Sequence, residues 1–160
     1  MAKTPRTVVP TFPATVNPKP KAVIICCVDP RFQLAFEMYV REVLGLKEGE
    51  AIFLTVAGGP APLAHPDEMT NRCRYIIRQT MFLCDHFPIE LVVPMGHEDC
   101  GYYNVVPQNG KVSSTRERDD LVTARKLLGL VIPEGVRIET HYAYFADKAQ
   151  TKIGFVKTTE

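Results

Sequence analysis

The sequence predicts an α/β fold: a mostly parallel β-sheet of four to five strands flanked by helices, behind an extended proline-rich N-terminal arm. Two observations lead there. Short apolar runs alternate with helical stretches in the order strand, helix, strand, helix, strand, helix, strand, which is the pattern of a parallel sheet covered on both sides. The first run, AVIICC at Ala22–Cys27, is apolar without interruption, as suits a strand buried on both faces. With 160 residues and 46% hydrophobic composition, the chain can bury roughly two thirds of its unfolded surface around one core without a disulfide staple.

Taken in order, residues 1–20 carry five prolines, Pro5, Pro10, Pro13, Pro18 and Pro20. So many missing backbone donors keep the segment out of a central strand or a helix interior, so it reads as an arm. Val8, Val9, Phe12 and Val16 would be wasted on a solvated tail, and a partner subunit is the surface expected to take them. Residues 21–160 form the single domain. After the strand Ala22–Cys27 a helix is expected over 32–44, ended by Gly45, with Glu37 and Arg41 four apart and able to pair. Ala51–Val56 is the second strand and AGGPAPLA the loop beyond it. A long helix begins near Pro66, where Asp67 and Glu68 suit the positive end of its dipole. Met69, Cys73, Ile76, Ile77, Met81 and Cys84 recur along its apolar face. Residues 89–95 make the third strand and 115–128 the third helix, with Leu121, Ala124, Leu127 and Leu128 inward. A fourth strand over 136–145 and a fifth over 152–157, joined by the ADKAQ turn, complete the sheet.

Composition narrows the function classes. Nineteen Lys and Arg against eighteen Asp and Glu leave a net charge of +1, which lacks the basic footprint of a nucleic-acid binder. High apolar content at low net charge argues against disorder. No apolar run approaches the ~18 residues of a membrane span, and the N-terminus lacks a secretory apolar core. The expectation is a cytoplasmic protein with neither nucleic-acid nor membrane partners. Five cysteines, two of them adjacent, do not suggest a disulfide framework. Cysteines near histidine in a reducing compartment point to metal or catalysis.

In a sheet of this type ligands bind beyond the carboxyl ends of the strands, at a topological switch point. Two predicted strands end there in metal-type residues: Cys27-Val28-Asp29-Pro30-Arg31, and His97-Glu98-Asp99-Cys100. Two thiolates and an imidazole make the three-ligand set of a catalytic zinc with one open position. Because neighbouring strand residues face opposite ways, only one of Cys26 and Cys27 can point at the site. On residue type alone His97 could be a turn histidine, Asp29 and Arg31 an ion pair bracing a loop, and Ala57-Gly58-Gly59 a tight turn. Cys73, Cys84, His65, His86 and His141 read as packing or surface residues.

Three motifs in this order, CVDPR at Cys27–Arg31, AGG at Ala57–Gly59 and GHEDCG at Gly96–Gly101, resemble those of the β-class carbonic anhydrases. The resemblance implies that family's α/β fold and one Zn²⁺ per chain on Cys27, His97 and Cys100. It selects Cys27 over Cys26, and it makes Asp29 and Arg31 the catalytic dyad. In that family the Asp accepts a hydrogen bond from the water on zinc and the Arg holds the Asp. The implied reaction is reversible hydration of carbon dioxide to bicarbonate and a proton. The alternatives are hydrolysis of carbonyl sulfide or carbon disulfide, or a zinc-binding homologue without turnover. A homodimer or a dimer of dimers is implied, its pocket lined by both chains. Gly58, Gly59, Phe53 and Tyr102 are candidates for the substrate pocket, with Phe32, Tyr39 and Tyr103 as further wall residues.

Overall fold

The structure is a computed structural model in which residues 12–105 and 114–158 are described. Residues 1–11 of the arm, with Val8 and Val9, lie outside the described residues. Phe12 and Val16 are exposed on this chain.

A six-stranded sheet forms the centre. Its strands are β1 (Ala22–Cys27), β2 (Ala51–Val56), β3 (Leu91–His97), β4 (Arg137–Ile138), β5 (His141–Phe145) and β6 (Ile153–Lys157). The order is β2-β1-β3-β5-β6, with β4 also on β3. All pairings are parallel except β5 with β6. Helices α1 (Gln33–Glu42), α2 (Thr70–His86) and α3 (Ser114–Gly129) cover the sheet. Alternation along β1 divides its side chains between two cores. Ala22, Ile24 and Cys26 pack with Phe36 and Val40 of α1, whereas Val23 and Ile25 pack with Cys73 and Ile76 of α2 and Ala124 and Leu128 of α3. Burial on both faces explains why β1 reads as an unbroken apolar run.

From β1 the chain crosses by α1 to β2 on one side, then by α2 to β3 on the other. The switch point therefore lies between the carboxyl ends of β1 and β3, where such sheets bind ligands. Cys27 ends one of these strands and His97 the other.

The expected single strand over 136–145 is two strands, so the sheet has six rather than four to five. Pro94 explains the break. Even-numbered residues of this stretch turn their backbone groups toward β4 and β5: Arg137 N donates to Glu90 O, Glu139 N to Val92 O, and Glu98 N to Ala143 O. Pro94 belongs to that set and has no N–H to offer, and the ladder opens opposite it, between Ile138 and His141.

Helix α2 starts at Thr70, so Asp67 and Glu68 precede its first turn. Met81 is 39% exposed rather than inward. Arg41 reaches Glu42 at 3.8 Å and not Glu37. Among the described residues no helix is long and apolar enough to cross a membrane.

Candidate metal centre

Alternation along β1 sends Cys26 into the α1 core, 3.7 Å from Thr55 Oγ1, and Cys27 to the opposite side toward Cys100. Burial pushes the Cys26 thiol up to about 11, which makes it a core cysteine. Cys27, His97 and Cys100 offer ligand atoms that all lie within 4.8 Å of one another, and all three residues are buried. The two sulfurs are 3.9 Å apart. Two sulfurs at ~2.3 Å on a tetrahedral zinc would be separated by about 3.8 Å.

The imidazole supplies a second test of fit. His97 Nδ1 lies 2.9 Å from Glu98 O, and that contact places the proton on Nδ1 and leaves the Nε2 lone pair free. Nε2 is buried without a hydrogen-bond partner among the described residues. A buried polar atom without a partner is costly, and a metal ion satisfies it. The ring packs against Phe32 in a tilted arrangement, 4.4 Å between centroids, so its orientation is set by packing. The residues present fit a zinc ion.

The sulfurs form a coupled pair. The Cys27 thiol is pulled down to about 4, chiefly by its contact with Cys100 and further by His97. The Cys100 thiol is pushed far up by the same contact and by burial. The pair gives up its first proton readily and holds the second.

The HEDC loop is pinned along its length. The Glu98 carboxylate accepts from Phe145 N at 2.8 Å. Cys100 N donates to Glu117 Oε1 at 3.2 Å, and the other Glu117 oxygen accepts from the Tyr142 hydroxyl. Arg31 Nη1 donates to Asp99 Oδ2 at 3.0 Å. Asp99 adopts a left-handed φ of 56°, a conformation that Asp tolerates better than most side chains.

Arg31 also grips Asp29. Its Nη2 donates to Asp29 Oδ2 at 2.7 Å, its Nε reaches both carboxylate oxygens, and its backbone N donates to Oδ1 at 3.0 Å. This contact holds the Asp29 carboxyl below the usual carboxylate range and raises the guanidinium in turn.

Beside the cluster lies a cleft of about 590 Å³ whose lining includes Cys27, Asp29, Arg31, Gly58, Arg72 and Tyr102. Gly58 has a φ of 85°, and a Cβ there would stand 2.5 Å from Tyr102 Cγ, so the bare backbone is what admits the ring.

Other expected wall residues lie elsewhere. Gly59 is behind the cleft, where a Cβ would meet Cys27 N at 2.9 Å; its role is to let the loop press against the end of β1. Phe53 pairs with Ile24, well short of the strand end, and is 37% exposed on edge strand β2. Phe32 lies under His97, Tyr39 bonds His141 Nδ1 at 2.9 Å, and Tyr103 is buried beside His65. His65 is paired with Asp120 at 2.8 Å.

Sequence reading missed Glu117, Asp99 and Arg72. Glu117 had a signal, since it stands four residues before Leu121 on the inward stripe of α3, where an acid needs an explanation. Asp99 lay inside a motif already singled out. Nothing in the sequence around Arg72 marks it.

No protein-family model matches the chain, and no curated protein matches its sequence. In structure it is similar to β-carbonic anhydrase isoform I from Trichomonas vaginalis, with a TM-score of 0.60 at 15% identity, covering 93% of this chain and 88% of that one. A carbonic anhydrase from Streptococcus mutans aligns with a TM-score of 0.55 at 20% identity over 92% of this chain and 88% of that one. One from Glaciozyma antarctica gives 0.55 at 16% identity over 90% and 85%. The chain has the β-carbonic anhydrase fold.

Proposed function

We propose that the chain is a zinc-dependent carbonic anhydrase, interconverting carbon dioxide and bicarbonate. The observation that carries this reading is a preformed Cys27–His97–Cys100 trio, its Nε2 without a hydrogen-bond partner among the described residues, with Cys27 lining the same cleft as Asp29 and Arg31. Zinc, when bound, would supply a Lewis acid and acidify a water at its open position. Two thiolates cancel the ion's charge and make it a weaker acid than a tri-histidine site would, so the protein must help. Asp29, kept ionised by Arg31, accepts a hydrogen bond from the attacking water and orients its lone pair. Val28, Pro30, Ala57 and Val105 give the cleft an apolar wall, which suits a small neutral substrate.

Two features support turnover over a silent zinc site. Asp29 is not a member of the metal-ligand cluster, and both its carboxylate oxygens are engaged by Arg31. A dimer belongs to the same reading, with exposed Leu34 and Met38 on α1 and Val43 just after it as apolar surface for a second copy; sedimentation as a monomer would count against it.

Stopped-flow assay of zinc-loaded protein tests the reaction. Carbon dioxide hydration above the buffer rate is expected, with Cys27→Ser losing both zinc and activity. Asp29→Ala should keep its zinc and lose about 10²–10⁴-fold in rate. Fully loaded protein that hydrates no faster than buffer would overturn the proposal. Sulfide release from carbonyl sulfide, measured in parallel, sets the substrate.

A further inference from the structure

We infer that Arg72 forms an anion subsite in the cleft and binds bicarbonate there. The identity of the anion rests on the proposed function; the cation and its setting do not.

Arg72 is the third residue of α2, and its guanidinium carbon lies 5.6 Å from the centroid of the Tyr102 ring. Tyr102 follows Cys100 by two residues and fills the space that Gly58 leaves open. The ring therefore links Arg72 to the loop carrying two of the three metal-type ligands, and both side chains line the cleft.

Among the described residues Arg31 and Arg72 are the two cations that line the cleft. Arg31 is engaged by Asp29 and Asp99, whereas Arg72 has no carboxylate partner among the described residues. The stretch 106–113 contains no acidic residue. A zinc ion is balanced by two thiolates. Among the lining residues Asp29 and Arg31 then cancel, and Arg72 leaves the cleft one net positive charge, which would attract a monoanion. The planar donor fork of Arg72 matches the oxygens of a carboxylate-like anion, and over an aromatic ring it is desolvated on one face. Neutral carbon dioxide is indifferent to this charge, so the subsite acts on bicarbonate, as product of hydration and as substrate of the reverse reaction.

The test follows the Arg72 Nε–Hε resonance and the Gly101 and Tyr102 amides of zinc-loaded protein by NMR. Potassium bicarbonate is titrated against ionic-strength-matched potassium chloride. Saturable shifts with bicarbonate are expected in the wild type. In Arg72→Gln the amide midpoint should rise about fivefold, the worth of one exposed charge pair, with zinc content unchanged and Arg72→Lys in between. Bicarbonate should inhibit hydration about fivefold less strongly in Arg72→Gln. Equal midpoints and equal inhibition in wild type and Arg72→Gln would overturn the subsite while leaving the hydration reading intact. An Arg72-dependent midpoint in a protein that does not hydrate carbon dioxide would keep the subsite and overturn that reading.

Discussion

Gly59 offers the sharpest test of how the loop after β2 supports the metal site. In Gly59→Ala the new Cβ stands 2.9 Å from Cys27 N and 3.1 Å from Cys26 C, and the backbone there has a φ of 54°. These neighbours are the backbone of the most deeply buried strand, so no flexible side chain can swing away to relieve the contact. Left-handed backbone costs an alanine about 1–2 kcal/mol, and overpacking a rigid core adds about 1–3 kcal/mol. The sum, about 2–5 kcal/mol, lowers the melting temperature by on the order of 10 °C for a domain of this size. Gly45→Ala is the control. Its φ of 69° carries the same conformational strain, but none of the described residues lies within 4 Å of the added methyl group, so only the first cost of about 1–2 kcal/mol applies. Because the clash falls on the amide of a ligand residue, zinc affinity by chelator competition should also drop in Gly59→Ala, by about 10–100-fold, and stay unchanged in Gly45→Ala. If the two variants melt together and bind zinc alike, the close approach of this loop to Cys27 is not what makes glycine necessary.

Three further outcomes follow from the same geometry. Glu117→Ala strands Cys100 N–H and the Tyr142 hydroxyl in the core, at about 1–3 kcal/mol for each unsatisfied group, whereas Glu117→Gln keeps an acceptor for Cys100. Burial raises the Glu117 carboxyl, so its charge costs stability as pH rises, and denaturant unfolding of zinc-free protein should find the Gln variant at least as stable as wild type at neutral pH. Calorimetry of zinc binding in buffers of different ionisation heat should show one proton released from the sulfur pair above neutrality, since Cys27 is already ionised and Cys100 is not. A second proton should come from His97 on the acid side, its basicity raised by Cys27 against the opposing pull of burial; two protons released on the alkaline side would contradict the coupled pair. Asp29 is depressed by Arg31, so its contribution to stability is present above the ordinary carboxylate range and lost as pH falls through its lowered value. Asp29→Asn should flatten that acid limb in thermal melts of zinc-free protein.

The parts of the fold legible in the sequence were those with a single physical cause. Burial of all of β1 and of Leu91–Met95 in β3 wrote itself as apolar runs, and the period of two allowed only one of Cys26 and Cys27 to face the site, the motif resemblance choosing Cys27. The site was legible from the metal-type residues at the carboxyl ends of two predicted strands, and the structure adds that those strands, β1 and β3, are neighbours. The errors arose where a residue's effect depends on a neighbour distant in sequence. Pro94 breaks a ladder only on the side its missing N–H faces. Gly59 looked like a cleft glycine because its approach to Cys27 is made from behind. Phe53 was apolar and near the motif in sequence, yet it sits three positions before the end of β2 and does not line this chain's cleft. Arg72 precedes the site by a whole strand, and only the packing of Tyr102 brings the two together.

The HEDC loop shows why the ligand positions belong to the fold. His97 is oriented by the Glu98 carbonyl and the Phe32 ring, Glu98 is held from β5, Asp99 by the Arg31 side chain beyond β1, and Cys100 by Glu117 of α3. Four consecutive residues are thus tied to different parts of the molecule, and their agreement places the two sulfurs 3.9 Å apart, close to the edge of a tetrahedral site. A flexible loop would have to surrender backbone and side-chain entropy of about 1–2 kcal/mol per residue when it ordered around an ion. Here folding has already met that cost. Arg31 joins the same scheme to the chemistry, since the guanidinium that fixes Asp99 in the ligand loop is the one that restrains Asp29. Replacing Arg31 therefore disturbs ligand geometry and carboxylate together, and a loss of rate in such a variant cannot be assigned to Asp29 alone. Asp99→Asn separates the two, because it weakens the tie to the ligand loop and leaves all four Arg31 contacts to Asp29 in place.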